Sequence, residues 1–118
     1  MTLIREFEPK TEEYQAIVDI QNAIIPTHPA VVQDYVEADK RVEEPYRFKR
    51  WVAVVDDRIV GVGQYTQYPW SYEPNRYFFQ IRVLPDYQGQ GIGKALYATV
   101  MNELQALANI EAGRDISL

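Results

Sequence analysis

The chain of 118 residues carries 17 acidic residues against 12 basic ones, a net charge of −5, one histidine and no cysteine. That length suits one domain around one core, and the acidic balance argues against a nucleic-acid partner, which calls for a basic face. Without cysteine, disulfides, thiolate nucleophiles and cysteine-ligated zinc are excluded, and a single histidine leaves no ligand cluster for a structural metal.

The residues from Met1 to Glu6 contain no apolar signal core, and no window is long enough to span a bilayer; a cytoplasmic protein with no membrane partner is expected. Thr2 to Glu8 alternates around Leu3 and Ile4 as a first strand closed by Pro9. Thr11 suits an N-cap, with Glu12 and Glu13 in the first helical turn, where the helix dipole favours them. Tyr14, Ile17, Val18, Gln21, Ile24 and Ile25 then share one helical face, on which Gln21 is the polar interruption, and Pro26 ends the helix. His28 falls in the following loop. Val31 to Val42 is a second, more polar helix, and the charges from Glu37 to Arg50 read as a solvated connection. Trp51 to Val55, the turn Asp56-Asp57-Arg58 and Ile59 to Tyr65 form a hairpin, in which Gly61 and Gly63 imply a close neighbour or a bulge. Gln67 to Arg76 is an aromatic loop holding Tyr68, Trp70 and Tyr72.

The remaining stretch carries the chemistry. A strand from Tyr77 to Val83 leads through Leu84-Pro85-Asp86-Tyr87 into Gln88-Gly89-Gln90-Gly91-Ile92-Gly93-Lys94. A helix follows, with Ile92, Ala95, Leu96, Thr99, Val100, Glu103, Leu104 and Leu107 inward and Glu103 the misfit. Glycines at alternate positions between a strand and a helix expose backbone N–H groups to an anion, most often a phosphate. No acidic residue lies between Tyr87 and Asn102, and Lys94 adds a positive charge, although it equally suits a solvated helix surface. A Walker A loop would need glycine at 88 and Ser or Thr after the lysine; a dinucleotide fingerprint would need glycine at 94. Neither is present.

The segment does resemble the acyl-CoA motif of the GNAT superfamily of N-acetyltransferases: Gln or Arg, two residues, Gly, one residue, Gly or Ala, met by Gln88, Gly91 and Gly93. The approach Ile81-Arg82-Val83-Leu84-Pro85-Asp86-Tyr87 and the hairpin Val54 to Gly61 resemble the same family, and the likeness runs through residues 2–118 in element order. It implies an α+β fold, with a mixed, mostly antiparallel sheet flanked by helices. It also implies an enzyme that moves an acetyl group from acetyl-CoA, as cosubstrate and without a metal, to a primary amine of a small molecule or peptide. Ile81, Arg82 and Val83 would lie along the pantetheine arm, with the backbones of Ile81 and Val83 pairing to it, and Gln88, Gly89, Gln90, Gly91, Ile92, Gly93 and Lys94 would hold the pyrophosphate. The amine would attack the thioester directly.

Two departures from the family stand out. Many members place a glutamate on the central strand as general base; here that strand offers Gln80, and Glu73 in the loop upstream is the nearest candidate. Family members also continue through a further strand, a helix and two more strands, whereas Arg114 to Leu118 reads as a strand barely begun. The chain is therefore expected to form an incomplete, N-terminal portion of the domain over residues 1–118, completed by a missing C-terminal half or by a homodimer partner. The alternative is a non-catalytic acyl-CoA-binding or interaction module of the same fold.

Overall fold

The computed structural model describes residues 2–42, 46–67 and 77–110. Strand β1 (Thr2–Glu6) is followed by helices α1 (Thr11–Ile24) and α2 (Val32–Lys40), then β2 (Phe48–Val55), β3 (Arg58–Thr66), β4 (Phe78–Val83) and α3 (Ile92–Ile110). The strands lie in the order β1-β2-β3-β4, and all three pairings are antiparallel. No parallel pair occurs among the described residues. The aromatic loop with Glu73, and the residues from Arg114 onward, lie outside the described residues.

The β2–β3 turn has two residues, Asp56 and Asp57, at φ of 49° and 64°. Both lie in the left-handed region, which matches the twist of the flanking strands and which Asp tolerates better than most side chains. Ala53 pairs with Gly61 but Val54 with Ile59, so Val60 is an extra, fully buried residue on β3. The glycines next to this bulge make room for α3. A Cβ on Gly61 would lie 3.0 Å from Leu96 Cδ1, and one on Gly63 would lie 3.3 Å from Leu96 Cβ and 3.4 Å from Val100 Cγ2. Both readings of the glycine pair, neighbour and bulge, therefore hold.

Strand alternation splits the core into two layers. On one face Trp51, Ala53, Tyr65 and Val83 pack with Ile92, Leu96, Val100 and Leu104 of α3. On the other, Val52 and Val62 pack with Tyr14 and Ile17 of α1, and Val32, Tyr35 and Val36 of α2 lie against them. Tyr65 is part of this core, with the rings of Trp51 and Tyr77 beside it. Glu103, the polar misfit on α3, accepts a 2.8 Å bond from Lys49, which also reaches Glu6 at 3.1 Å. The Glu103 bond, ahead of the others, holds the lysine ammonium above its usual range.

Three expectations are corrected. Lys10, not Thr11, is the N-cap residue of α1, and it makes no side-chain cap. Glu13 reaches back instead, accepting the Glu8 N–H at 3.1 Å and both guanidinium nitrogens of Arg5 at 2.9 and 2.7 Å. On α1, Ile20 is fully buried while Ile24, in the last turn, is exposed. The charge run at 37–50 is not all solvated: β2 starts three residues earlier than expected, and Arg50 is buried on it. Its guanidinium donates to Asp39 of α2 at 3.0 and 3.3 Å and to Gln64 at 2.9 Å, with the rings of Phe7, Tyr35 and Phe48 around it. A charge paired, hydrogen-bonded and stacked in this way can be buried; one read from composition alone looks exposed.

Candidate functional site

β4 is the last strand of the sheet, so one of its edges carries no strand among the described residues. Which groups face that edge follows from the register. The Leu84 N–H donates to the Val60 carbonyl at 2.8 Å, continuing the pairing in which Arg82 faces Val62 and Val83 faces Gly61. In an antiparallel ladder, hydrogen-bonded pairs alternate. The backbones of Arg82 and Gln80 therefore turn toward β3, and those of Phe79, Ile81 and Val83 turn toward the open edge. The Val83 carbonyl is already used, accepting from Gln88 Nε2 at 3.0 Å. Ile81 keeps both groups and Val83 its N–H.

That same Gln88 bond ties the glycine turn to the end of β4. A 3-10 turn at Pro85–Tyr87 comes first, and the chain then passes through Gly89 at φ 78° and Gly91 at φ 86°. Both values belong to glycine, and a Cβ at either position would meet nothing within 4 Å, so the turn's outer surface is open. Gly93 differs: a Cβ there would sit 3.7 Å from Val83 Cγ2 and 3.8 Å from Ile81 Cγ2, ordinary contact. This explains why a motif can accept alanine at its last position and not at Gly91.

The first hydrogen bond into α3 runs from the Ala95 N–H to the Gly91 carbonyl at 3.0 Å. Backbone N–H groups from Gly89 to Lys94 have no hydrogen-bond partner among the described residues. With no acid in the first turn of α3, the helix dipole and these donors favour an anion at this point. Lys94 stands exposed on the same turn.

Sequence reasoning missed an aromatic pair beside the open edge. Phe79, on the α3 side of β4, and Tyr97, off the apolar face of α3, are 50% and 47% exposed with ring centroids 5.6 Å apart. The only available signal was that Tyr97 interrupts the polar side of its helix. On the opposite face of the sheet, Gln21 Oε1 accepts from the Tyr35 hydroxyl and, at 2.9 Å, from Arg82 Nη1. Tyr14, 2.7 Å from Asp39, has its phenol pushed up to about 12, by burial first and the carboxylate second. No group of three or more His, Cys, Asp or Glu suited to a metal is present among the described residues, nor is any helix there long and apolar enough to cross a membrane. Gln80 is exposed on β4, and that strand carries no carboxylate.

Three solved structures resemble the chain closely in fold. A tandem GNAT protein from the clavulanic acid biosynthesis pathway matches with a TM-score of 0.76 at 18% identity, over 91% of this chain and 34% of that one. An N-acetyltransferase from Staphylococcus aureus Mu50 matches at 0.73 and 22%, over 91% and 68%. A ribosomal-protein-alanine N-acetyltransferase from Brucella melitensis matches at 0.72 and 21%, over 89% and 68%. The chain thus spans about a third of the tandem protein and about two thirds of the other two. No curated protein sequence matches it. The family model of the acetyltransferase (GNAT) family matches residues 14–114, and with the α+β fold, the glycine turn and the open β4 edge agreeing, the chain belongs to that family.

Proposed function

We propose that this chain binds acetyl-CoA along the open edge of β4 and serves transfer of its acetyl group to a primary amine of a small molecule or peptide. The observation that carries the reading is the run of N–H groups from Gly89 to Lys94 that have no partner among the described residues, placed where the β4 edge left without a strand among those residues ends. Gln88, Gly89, Gln90, Gly91, Ile92, Gly93 and Lys94 cradle the pyrophosphate. Ile81 and Val83 offer outward backbone groups to the pantetheine arm, with Arg82 between them. The amine nitrogen attacks the thioester carbonyl carbon, N–H groups at the strand edge stabilise the oxyanion, and the C–S bond then breaks. The proton lost by nitrogen ends on the departing thiolate, giving an amide and free CoA. Glu73 is the proposed base that accepts it first.

Residues 1–118 act in this reading as the N-terminal portion of the domain, through the acyl-CoA motif and its helix. The open β4 edge is then completed by further polypeptide or by a second copy of the chain. A second reading, an acyl-CoA-binding module without turnover, is favoured by one observation, the absence of a carboxylate on β4. Calorimetric titration with acetyl-CoA tests what both share. Saturable binding is expected, weakened at least tenfold by Gly91→Val, whose side chain stands over the turn in a conformation it rarely adopts. Equal affinity of a folded Gly91→Val variant would refute the placement, and amine-dependent release of CoA separates the enzyme from the module.

A further inference from the structure

Resting on the reading above, we propose that Arg82 anchors an oxyanion on the acceptor, so that the amine substrate carries a carboxylate or phosphate as well as its amino group. Ile81 and Val83 face α3, as their approach to Gly93 shows, and Arg82 between them therefore projects from the other face of β4, toward α1. There its Nη1 donates to Gln21 Oε1 at 2.9 Å. Because both Arg82 and the Tyr35 hydroxyl donate to that one atom, the amide of Gln21 is fixed with its oxygen toward them. The three residues come from a strand and two separate helices, and together they hold one guanidinium in place.

What they do not supply is charge. Arg5 is matched by Glu13 at 2.7 Å and Arg50 by Asp39 at 3.0 Å. Among the described residues Arg82 has only a neutral amide as its partner, and no carboxylate lies within ion-pair distance of it. In a chain with 17 acidic residues and 12 basic ones, a half-buried arginine held by a neutral partner is out of keeping with its surroundings. Nη1 is committed to Gln21, and the rest of the planar fork remains for a bidentate partner, the geometry that suits carboxylate and phosphate. Gln21 and Tyr35 also line an open surface depression with His28 and Asp34; Arg82 is not part of its lining and meets it only through Gln21. Asp34, the one acid in that lining, makes no ion pair with Arg82. Gln21 is also the residue that breaks the apolar face of α1, and this contact gives it a purpose.

The test compares matched probes on the unmodified chain by NMR, following the Arg82 Nε–Hε resonance. The probes are L-alanine against L-alaninamide and O-phosphoethanolamine against ethanolamine. A saturable shift with the anionic member of a pair, at least about tenfold tighter than with its neutral counterpart, supports the proposal. The pair that responds identifies carboxylate or phosphate as the anion. Arg82→Gln should abolish the discrimination, and Arg82→Lys, which keeps the charge and loses the fork, should restore part of it. Equal response to charged and neutral probes overturns the proposal, whatever the variants do. An acetyl-CoA titration of the same sample keeps the two ideas apart. Acetyl-CoA binding without anion discrimination refutes the role of Arg82 and leaves acyl transfer standing. Discrimination without acetyl-CoA binding leaves Arg82 an anion site but overturns its assignment to an acyl acceptor, along with the acyl-transfer reading.

Discussion

Replacing Asp39 by asparagine tests how α2 is held to the sheet. No residue of α2 is fully buried, and its apolar contact is limited to the partly buried Val32, Tyr35 and Val36. Its firmest tie is Asp39 to Arg50, whose side chains are 19% and 3% exposed. Breaking a buried pair by removing one partner costs about 3–5 kcal/mol, because the other charge stays buried. Two features reduce that here. Asparagine keeps one oxygen for one of the two guanidinium bonds, and the rings of Phe7, Tyr35 and Phe48 still face the cation, each contributing about 0.5–1 kcal/mol. A loss of about 2–3 kcal/mol results, or about 8–12 °C in Tm for a chain of this size. Thermal and urea unfolding followed by circular dichroism measure it, and amide exchange in α2 reports whether that helix loosens first. The same substitution in an Arg50→Met background should cost much less, since no buried cation is then stranded. Part of the loss belongs to the Tyr14 hydroxyl, which also donates to Asp39, and a Tyr14→Phe background isolates it. If Asp39→Asn costs the same with and without the arginine, the pair does not hold α2 and the argument fails.

Other expectations follow from single contacts. Gly93→Ala should stabilise the chain by about 0.5–1 kcal/mol, because its Cβ meets Val83 and Ile81 at ordinary distance and the helix gains a better former. Gly91→Ala, at φ 86°, should instead cost about 1 kcal/mol; effects of the same sign at the two positions in urea titration would contradict the turn geometry. Glu13→Gln should cost about 1 kcal/mol at pH 7, since Arg5 is a third exposed and solvent weakens the pair. The Arg5 bond holds the Glu13 carboxyl below its ordinary 4.5, so this stability is fully present above that value and lost as pH falls through the lowered one. Stability curves of the two proteins should therefore converge in acid; a constant gap from pH 7 to pH 2 would show that Glu13 acts through packing and not through charge.

The hairpin, the inward face of α3 and the anion-binding turn were set by local sequence. Two aspartates that tolerate positive φ, apolar residues at helical spacing, and glycines between a strand and a helix each constrain the backbone within a few residues. The fold family could be read from the same stretch. Pairings between distant residues could not. Lys49 and Glu103 are 54 positions apart, Gln21 and Arg82 are 61 apart, and each looks like an unexplained polar residue until the sheet brings its partner to it. The burial of Arg50 depends on α2 delivering Asp39 and Tyr35 and on Phe7 arriving from the end of β1, beside Phe48 of its own strand, none of which composition reveals. Which backbone groups of β4 face a ligand also waited on the register with β3, because a shift of one residue would exchange Ile81 and Val83 for Arg82. Sequence thus determined what the turn could bind, and tertiary structure decided which groups stand beside it, since charge pairing and strand register are properties of residues far apart in the chain.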